Sequence, residues 1–276
     1  MTTPAVHPRA GWAARILAAV GIAIVLVGAT VAGLTAYGAA REFDVTSTVE
    51  LPVAQRIVLE LGTVSTLSVE RDREILRPTL EVYGTGIDGQ APFGVDTSEE
   101  GTLRITSLEQ ETLPWQNEGY ALATGVLRLP SSMTDLDIDV TLSNEANLWL
   151  DTDAERVSVR VTGPSWADVR GDIGTLELAG PTATFSVRGE IGSLTASGDS
   201  LDVNFDGVAP ERAALDTNLL TVAGLPETTP LALTAPDWLV ERFGQVGYTI
   251  DAEAPNAIVI PERLPEESFA WGDEYW

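Results

Sequence analysis

Cysteine is absent from all 276 residues, lysine is absent too, and the single histidine, His7, stands in a short N-terminal stretch. Without cysteine the chain has no disulfide, no thiolate nucleophile and no thiolate zinc site. With its one histidine confined to that stretch, the rest of the chain has no Ser-His-Asp triad and no His-ligated metal centre. All sixteen basic residues are arginine, set against 41 Asp and Glu, and no acid precedes Glu42. Residues 42–276 therefore carry 41 acidic and 13 basic side chains, a net charge of −28. Such a field repels a phosphate backbone, which excludes nucleic acid as a partner. No residue is nominated as catalytic, cofactor-binding or metal-ligating, and the chain reads as a non-enzyme.

Charge is missing from one long run. Ile16 to Tyr37, ILAAVGIAIVLVGATVAGLTAY, is 22 residues without a charge. As a helix at about 1.5 Å per residue it would measure roughly 33 Å, the depth of a bilayer's hydrocarbon core. A signal peptide is the competing reading: its apolar stretch is usually shorter, but Gly38-Ala39-Ala40 supplies small residues for cleavage. Arg9 and Arg15 before the run have no acid beside them, whereas Arg41 is followed by Glu42 and Asp44. That asymmetry orients the N-terminus to the cytoplasm and the acidic bulk outside. Ala29 and Gly33 form a small-xxx-small pair, a weak sign of a homo-oligomer.

Beyond Arg41 the pattern is short and alternating, as in strands rather than helices. Ile57–Leu61, Thr66–Glu70, Thr79–Tyr83, Gly101–Ile105 and Gly125–Pro130 are expected strands. Gly62 and Arg71–Glu74 are expected turns. A period then emerges. Val169-Arg170-Gly171-Asp172-Ile173-Gly174-Thr175-Leu176 recurs as Val187-Arg188-Gly189-Glu190-Ile191-Gly192-Ser193-Leu194, 18 residues on. Gly180 and Gly198, Gly189 and Gly207, and Phe185 and Val203 share that spacing, while Gly163-Pro164 matches Gly180-Pro181 at 17. Eighteen residues suit one rung of a β-solenoid, with glycines at corners of positive φ. Val159, Val161, Val169, Leu176, Leu178, Phe185, Val187, Leu194, Leu201, Val203 and Phe205 would then stack inside. After Leu225 come six prolines, two expected strands (Leu231–Thr234 and Ala257–Ile260), a helical or capping turn over Asp237–Phe243, and an acidic aromatic end.

The layout resembles the bacterial "putative adhesin" domain family, related to the head-GIN adhesin-like proteins. The resemblance covers roughly residues 43–225. It rests on Leu59–Val64 with Leu67–Val69, on Gly101–Ile105, on Val126–Pro130 leading into Leu136–Asp139, and on the glycine-cornered repeats. It implies an all-β fold, a right-handed β-helix or rolled sheet, placed outside the cell behind one membrane helix, with no catalytic residues to carry over. This chain departs in having fewer Ser-Gly-Asp corners and an added Trp-rich tail. The expected organisation is a cytoplasmic tail (1–15), a transmembrane helix (16–37), an extracellular adhesin-like β-solenoid (38–225) and a C-terminal β or capping segment (226–276).

Function is expected in binding, either as a single-pass cell-surface adhesin-like module or as an accessory subunit of an envelope-stress or signalling system. The partners expected are the membrane, through one helix, and a surface protein or wall polymer. Alternating Asp135, Asp137 and Asp139, followed by Asp151 and Asp153, could hold Ca²⁺ but read first as a solvated face. Trp115, Trp149 and Trp166 lie in or beside expected strands, as sugar-stacking faces or as core and lid residues. Phe269, Trp271, Tyr275 and Trp276 crowd the last eight residues, either to dock a partner or to cap the open end of the solenoid. Trp166, Phe269, Trp271, Tyr275 and Trp276 are the candidate partner-binding residues.

Overall fold

The computed structural model describes residues 20, 26–34, 36–37, 42–62, 65–87, 93–107, 123–143, 146–163, 165–227 and 230–271. Its eighteen strands belong to one hydrogen-bonded network. The expectation of an all-β fold holds, and most of the network is parallel. The first parallel ladder runs β6 (Thr102–Ser107), β2 (Arg56–Leu61), β8 (Asp137–Leu142), β10 (Ala154–Val161), β12 (Ile173–Ala179), the start of β14 (Ile191–Asn204), the start of β15 (Arg212–Ala223), β17 (Asn256–Val259) and β16 (Leu231–Thr234). The second runs β7 (Ala123–Pro130), β3 (Ser65–Asp72), β9 (Asn147–Asp151), β11 (Ser165–Arg170), β13 (Thr182–Arg188), the ends of β14 and β15, and β18 (Phe269–Trp271). Strands β14 and β15 belong to both ladders, so there the chain runs directly from one ladder into the other.

The register agrees with the expected repeat. Val169 pairs with Val187, Leu176 with Leu194 and Phe185 with Val203, each 18 residues apart. Other rungs are one residue longer: Arg156 pairs with Asp137 and Ser193 with Arg212. The 17-residue match of Gly163 with Gly180 is not a structural register. Arg160 pairs with Ala179, which sets Gly180 against Val161. Gly198 owes its glycine to space rather than to φ: a Cβ there would meet the carbonyl of Gly180 in the rung beneath.

Alternation decides which side faces in. All eleven residues expected inside are buried. They join columns such as Leu103, Ile57, Ile138, Val157, Leu176, Leu194, Ala213 and Ile258, each stacked on the next by the parallel register. Small residues sit beside large ones where volume demands it, with Phe185 on Ala167, and Gly125 against Leu67 and Phe93. One continuous apolar core results, from Leu51 to Phe269.

Two features were not expected. The rung β2–β3 does not lie at the end of the stack; it is inserted between β6–β7 and β8–β9. Antiparallel strands then cover the outer rung: β5 (Phe93–Asp96) pairs with β6, β4 (Thr79–Ile87) with β7, and β1 (Glu42–Glu50) with β4. At the other end helix α1 (Asp237–Gln245) puts Leu239 and Phe243, one turn apart, fully into the core. Among the described residues no helix is long and apolar enough to cross a membrane. Of the expected span 16–37, residues 20, 26–34, 36 and 37 are described, all helical, and the others lie outside the described residues.

Candidate functional site: the outer face of the second ladder

Ala167 and Val169 point into the core, so Trp166, Asp168 and Arg170 of β11 point out. The register extends this into rows running across the rungs. One row is Asn147, Trp166, Thr184, Asp202 and Thr221; the next is Trp149, Asp168, Ser186, Asn204 and Ala223. Trp149 and Trp166 meet edge to face with ring centroids 5.2 Å apart and planes at 69°. Each ring therefore braces the other on a rigid sheet. Trp149 lies between buried Leu148 and Leu150 and is itself exposed, on the opposite face as its alternation requires.

Beside this pair a groove of about 660 Å³ opens over four rungs, lined by Trp166, Thr184, Ser186, Arg188, Asp202 and Asn204 among others. One outward residue of β11, beside Trp166, is unusual. Asp168 faces outward yet is only 2% exposed. Its Oδ2 accepts hydrogen bonds from Arg170 Nε at 3.0 Å and Nη2 at 2.5 Å. Its Oδ1 is buried without a partner. Leaving such an acceptor unmatched costs about 1–3 kcal/mol. The Arg170 guanidinium is held above its usual value, chiefly by the hydrogen bond to Asp168, with burial acting in the opposite direction. Arg188 likewise sits 2.6 Å from Asp206, so both cations near the groove have carboxylate neighbours. Asp202 and Asn204 are exposed, and Asn204 Oδ1 accepts from the Asp206 backbone N–H at 3.1 Å.

A second cavity, about 520 Å³, opens at a corner lined by Arg71, Arg73, Ser131, Asp135, Asp153 and Asp172. Arg71 has a structural explanation. It donates to Thr152 Oγ1 at 2.7 Å, to the carbonyls of Pro130 at 3.2 Å and Asp153 at 2.7 Å, and to the Met133 carbonyl. One guanidinium thus joins three corners, and burial lowers its pKa.

The alternating acids separate: Asp137 and Asp139 lie on the outer face of β8 in the first ladder, Asp151 ends β9 in the second, and Asp135 and Asp153 line the corner cavity. Asp139 pairs with Arg56 at 2.8 Å, Asp137 is exposed, and Asp153 Oδ1 accepts from the Asp172 backbone N–H at 3.0 Å. Among the described residues no group of three or more His, Asp or Glu is placed to hold a metal ion.

The tail residues separate. Phe269 is buried; as the first residue of β18 it pairs with Leu220 and extends the inner column Ala183, Leu201, Leu220. Trp271 packs on Phe243 at 4.7 Å and stacks on Tyr248 at 5.7 Å with planes 12° apart. Arg242 of α1 lies over the Phe269 ring, 5.6 Å from its centroid. This is the geometry of the capping alternative, and a partner would have to displace Phe269 from the core to use it. Tyr275, Trp276 and Trp115 lie outside the described residues. Trp166 is the candidate that faces an open groove. Its neighbours Asp168, Ser186, Asp202 and Asn204 were not singled out from the sequence, although alternation with Val169, Phe185 and Val203 already marked them as outward.

No protein-family model matches this chain, and no curated protein matches it in sequence. Two solved structures are similar to it. One is described as a "putative cell adhesion protein" from Clostridium sporogenes, 14% identical with a TM-score of 0.30, covering 79% of this chain and 93% of that one. The other is described as a "putative adhesin" from Bacteroides fragilis, 13% identical with a TM-score of 0.32, covering 79% and 96%.

Proposed function

We propose that this protein is a membrane-anchored cell-surface binding module, adhesin-like and non-catalytic, whose stacked rungs wind as a right-handed β-helix. The observation that carries the reading is the braced pair Trp149 and Trp166 beside an open groove on a rigid sheet. Large aromatics held outward in a fixed geometry are a feature of binding surfaces, because little side-chain entropy is lost on contact. The anchor is the uncharged run 16–37, with the N-terminus cytoplasmic and the β region outside. Val20, Leu26 and Val27 within that run are 49%, 61% and 64% exposed, the apolar surface that lipid would cover. The net charge of −28 beyond Arg41 keeps the displayed domain off anionic lipid and nucleic acid.

The test uses cells producing the full chain. Protease added to intact cells should remove the β region and leave an N-terminal fragment with the membrane. Binding of those cells to immobilised envelope material should fall when Trp149→Ala and Trp166→Ala are combined. A β region protected in intact cells, or binding indifferent to the double substitution, would overturn the proposal.

A further inference from the structure

We infer that the groove over β11, β13, β14 and β15 binds a polymer of uncharged hexose, with Trp166, braced by Trp149, under a sugar ring and Ser186, Asp202 and Asn204 on its hydroxyls. This rests on the surface-binding function proposed above and names the occupant of that site. Three observations lead to it.

The first is the mixture of groups. The groove sets one face of an indole beside hydroxyls, an amide and a carboxylate: Thr184, Ser186, Thr221, Asn204 and Asp202. A pyranose presents the matching pair of surfaces, an apolar face of C–H groups and a rim of hydroxyls that both donate and accept.

The second is charge. Arg170 is held by Asp168, and Arg188 lies 2.6 Å from Asp206, so each cation near the groove already has a carboxylate neighbour. Among the described residues Asp202 has no ion pair, and the field of the whole β region is strongly negative. An anionic glycan is repelled at long range.

The third is extent. Trp166, Thr184, Asp202 and Thr221 mark four successive strands. At about 4.8 Å between neighbouring strands the groove runs about 14 Å along the stack, longer than one ring. It therefore suits an oligomer over a monosaccharide, within the usual volume of ligand sites.

The experiment titrates the full chain in detergent with cellohexaose, maltohexaose and mannohexaose, and with hexagalacturonate as the charged counterpart, followed by tryptophan fluorescence and calorimetry. Saturable binding of at least one uncharged hexaose is expected, with the uronate at least tenfold weaker. Trp166→Ala and Asn204→Ala should each weaken that binding at least tenfold. Asn204→Ala also removes the bond to the Asp206 N–H, so Asp202→Ala, at an exposed residue of the same groove and with the same tenfold loss expected, keeps the test valid if either variant disturbs packing. No binding of any uncharged hexaose, binding indifferent to these substitutions, or an equal or tighter uronate would overturn the inference. If the hexaoses fail while the Trp149→Ala, Trp166→Ala cells lose attachment, surface binding stands and the hexose assignment falls. If attachment also survives, both fall.

Discussion

Gly189 and Gly207 provide a controlled comparison of what the rungs demand of their corners. Both have positive φ, 105° and 86°. An L-residue in this region costs about 1–2 kcal/mol relative to glycine. The two sites differ in what lies beneath. A Cβ at Gly207 would meet nothing within 4 Å, whereas one at Gly189 would lie 2.9 Å from the Gly171 carbonyl carbon, 3.1 Å from its nitrogen and nearer still to its oxygen. That atom cannot rotate away, because it belongs to the backbone of the next rung. Accommodating it means separating the turns beside the bond from Gly171 N–H to Arg188 C=O, now 3.1 Å long. Overpacking of this kind adds about 1–3 kcal/mol. Gly207→Ala should therefore lose about 1–2 kcal/mol and Gly189→Ala about 2–5 kcal/mol, a large share of an ordinary stability of about 5–15 kcal/mol. Urea unfolding of the full chain followed by tryptophan fluorescence measures both. Equal losses at the two sites would refute the claim that close stacking, and not φ alone, requires glycine at position 189.

Arg71→Met should lower stability by about 2–3 kcal/mol, since it removes a charged donor from Thr152 and three carbonyls; calorimetry of the two proteins decides it. Deleting residues 265–276 should lower the melting temperature and speed hydrogen exchange in α1, because Phe243 and Leu220 lose Phe269 and Trp271; an unchanged melting temperature would mean that this segment does not cap the stack. Glu81 is held below its ordinary value near 4.5, first by the hydrogen bond from Arg128 and then by that from the Tyr83 hydroxyl. A lowered folded-state pKa stabilises above the unfolded value and ceases to do so as pH falls through the folded one. The stability gap between wild type and Glu81→Gln should therefore be present at pH 7 and close below pH 4.5, as read by urea midpoints across pH.

Much of the fold was legible because parallel strands with one buried face leave an alternating trace. Val159 and Val161, or Val203 and Phe205, could be assigned inward without a structure, and the 18-residue recurrence of Val169–Leu176 already contained the register that pairs Val169 with Val187 and Leu176 with Leu194. The expected strands Leu231–Thr234 and Ala257–Ile260, and the helical turn at Asp237, are found within a residue or two of their places. Strand β1 was not anticipated. Among the described residues EFDVTSTVE pairs as an outer strand on β4, and such a strand needs no strong apolar pattern.

By itself, then, the sequence determined what is local or periodic: strand alternation, rung length, the charge beyond Arg41, and a composition with no cysteine and no histidine beyond His7. Tertiary structure decided what depends on which rung lies beside which. The insertion of β2–β3 between β6–β7 and β8–β9 joins Arg56 to Thr102 and to Asp137, 46 and 81 residues away. No periodic signal encodes that order, because the inserted rung looks locally like any other. The groove has the same origin: Trp166, Ser186, Asp202 and Asn204 come from three rungs and meet because parallel register aligns their outward rows. The burial of Asp168 beneath its neighbours follows from that alignment, and spacing along the chain does not reveal it.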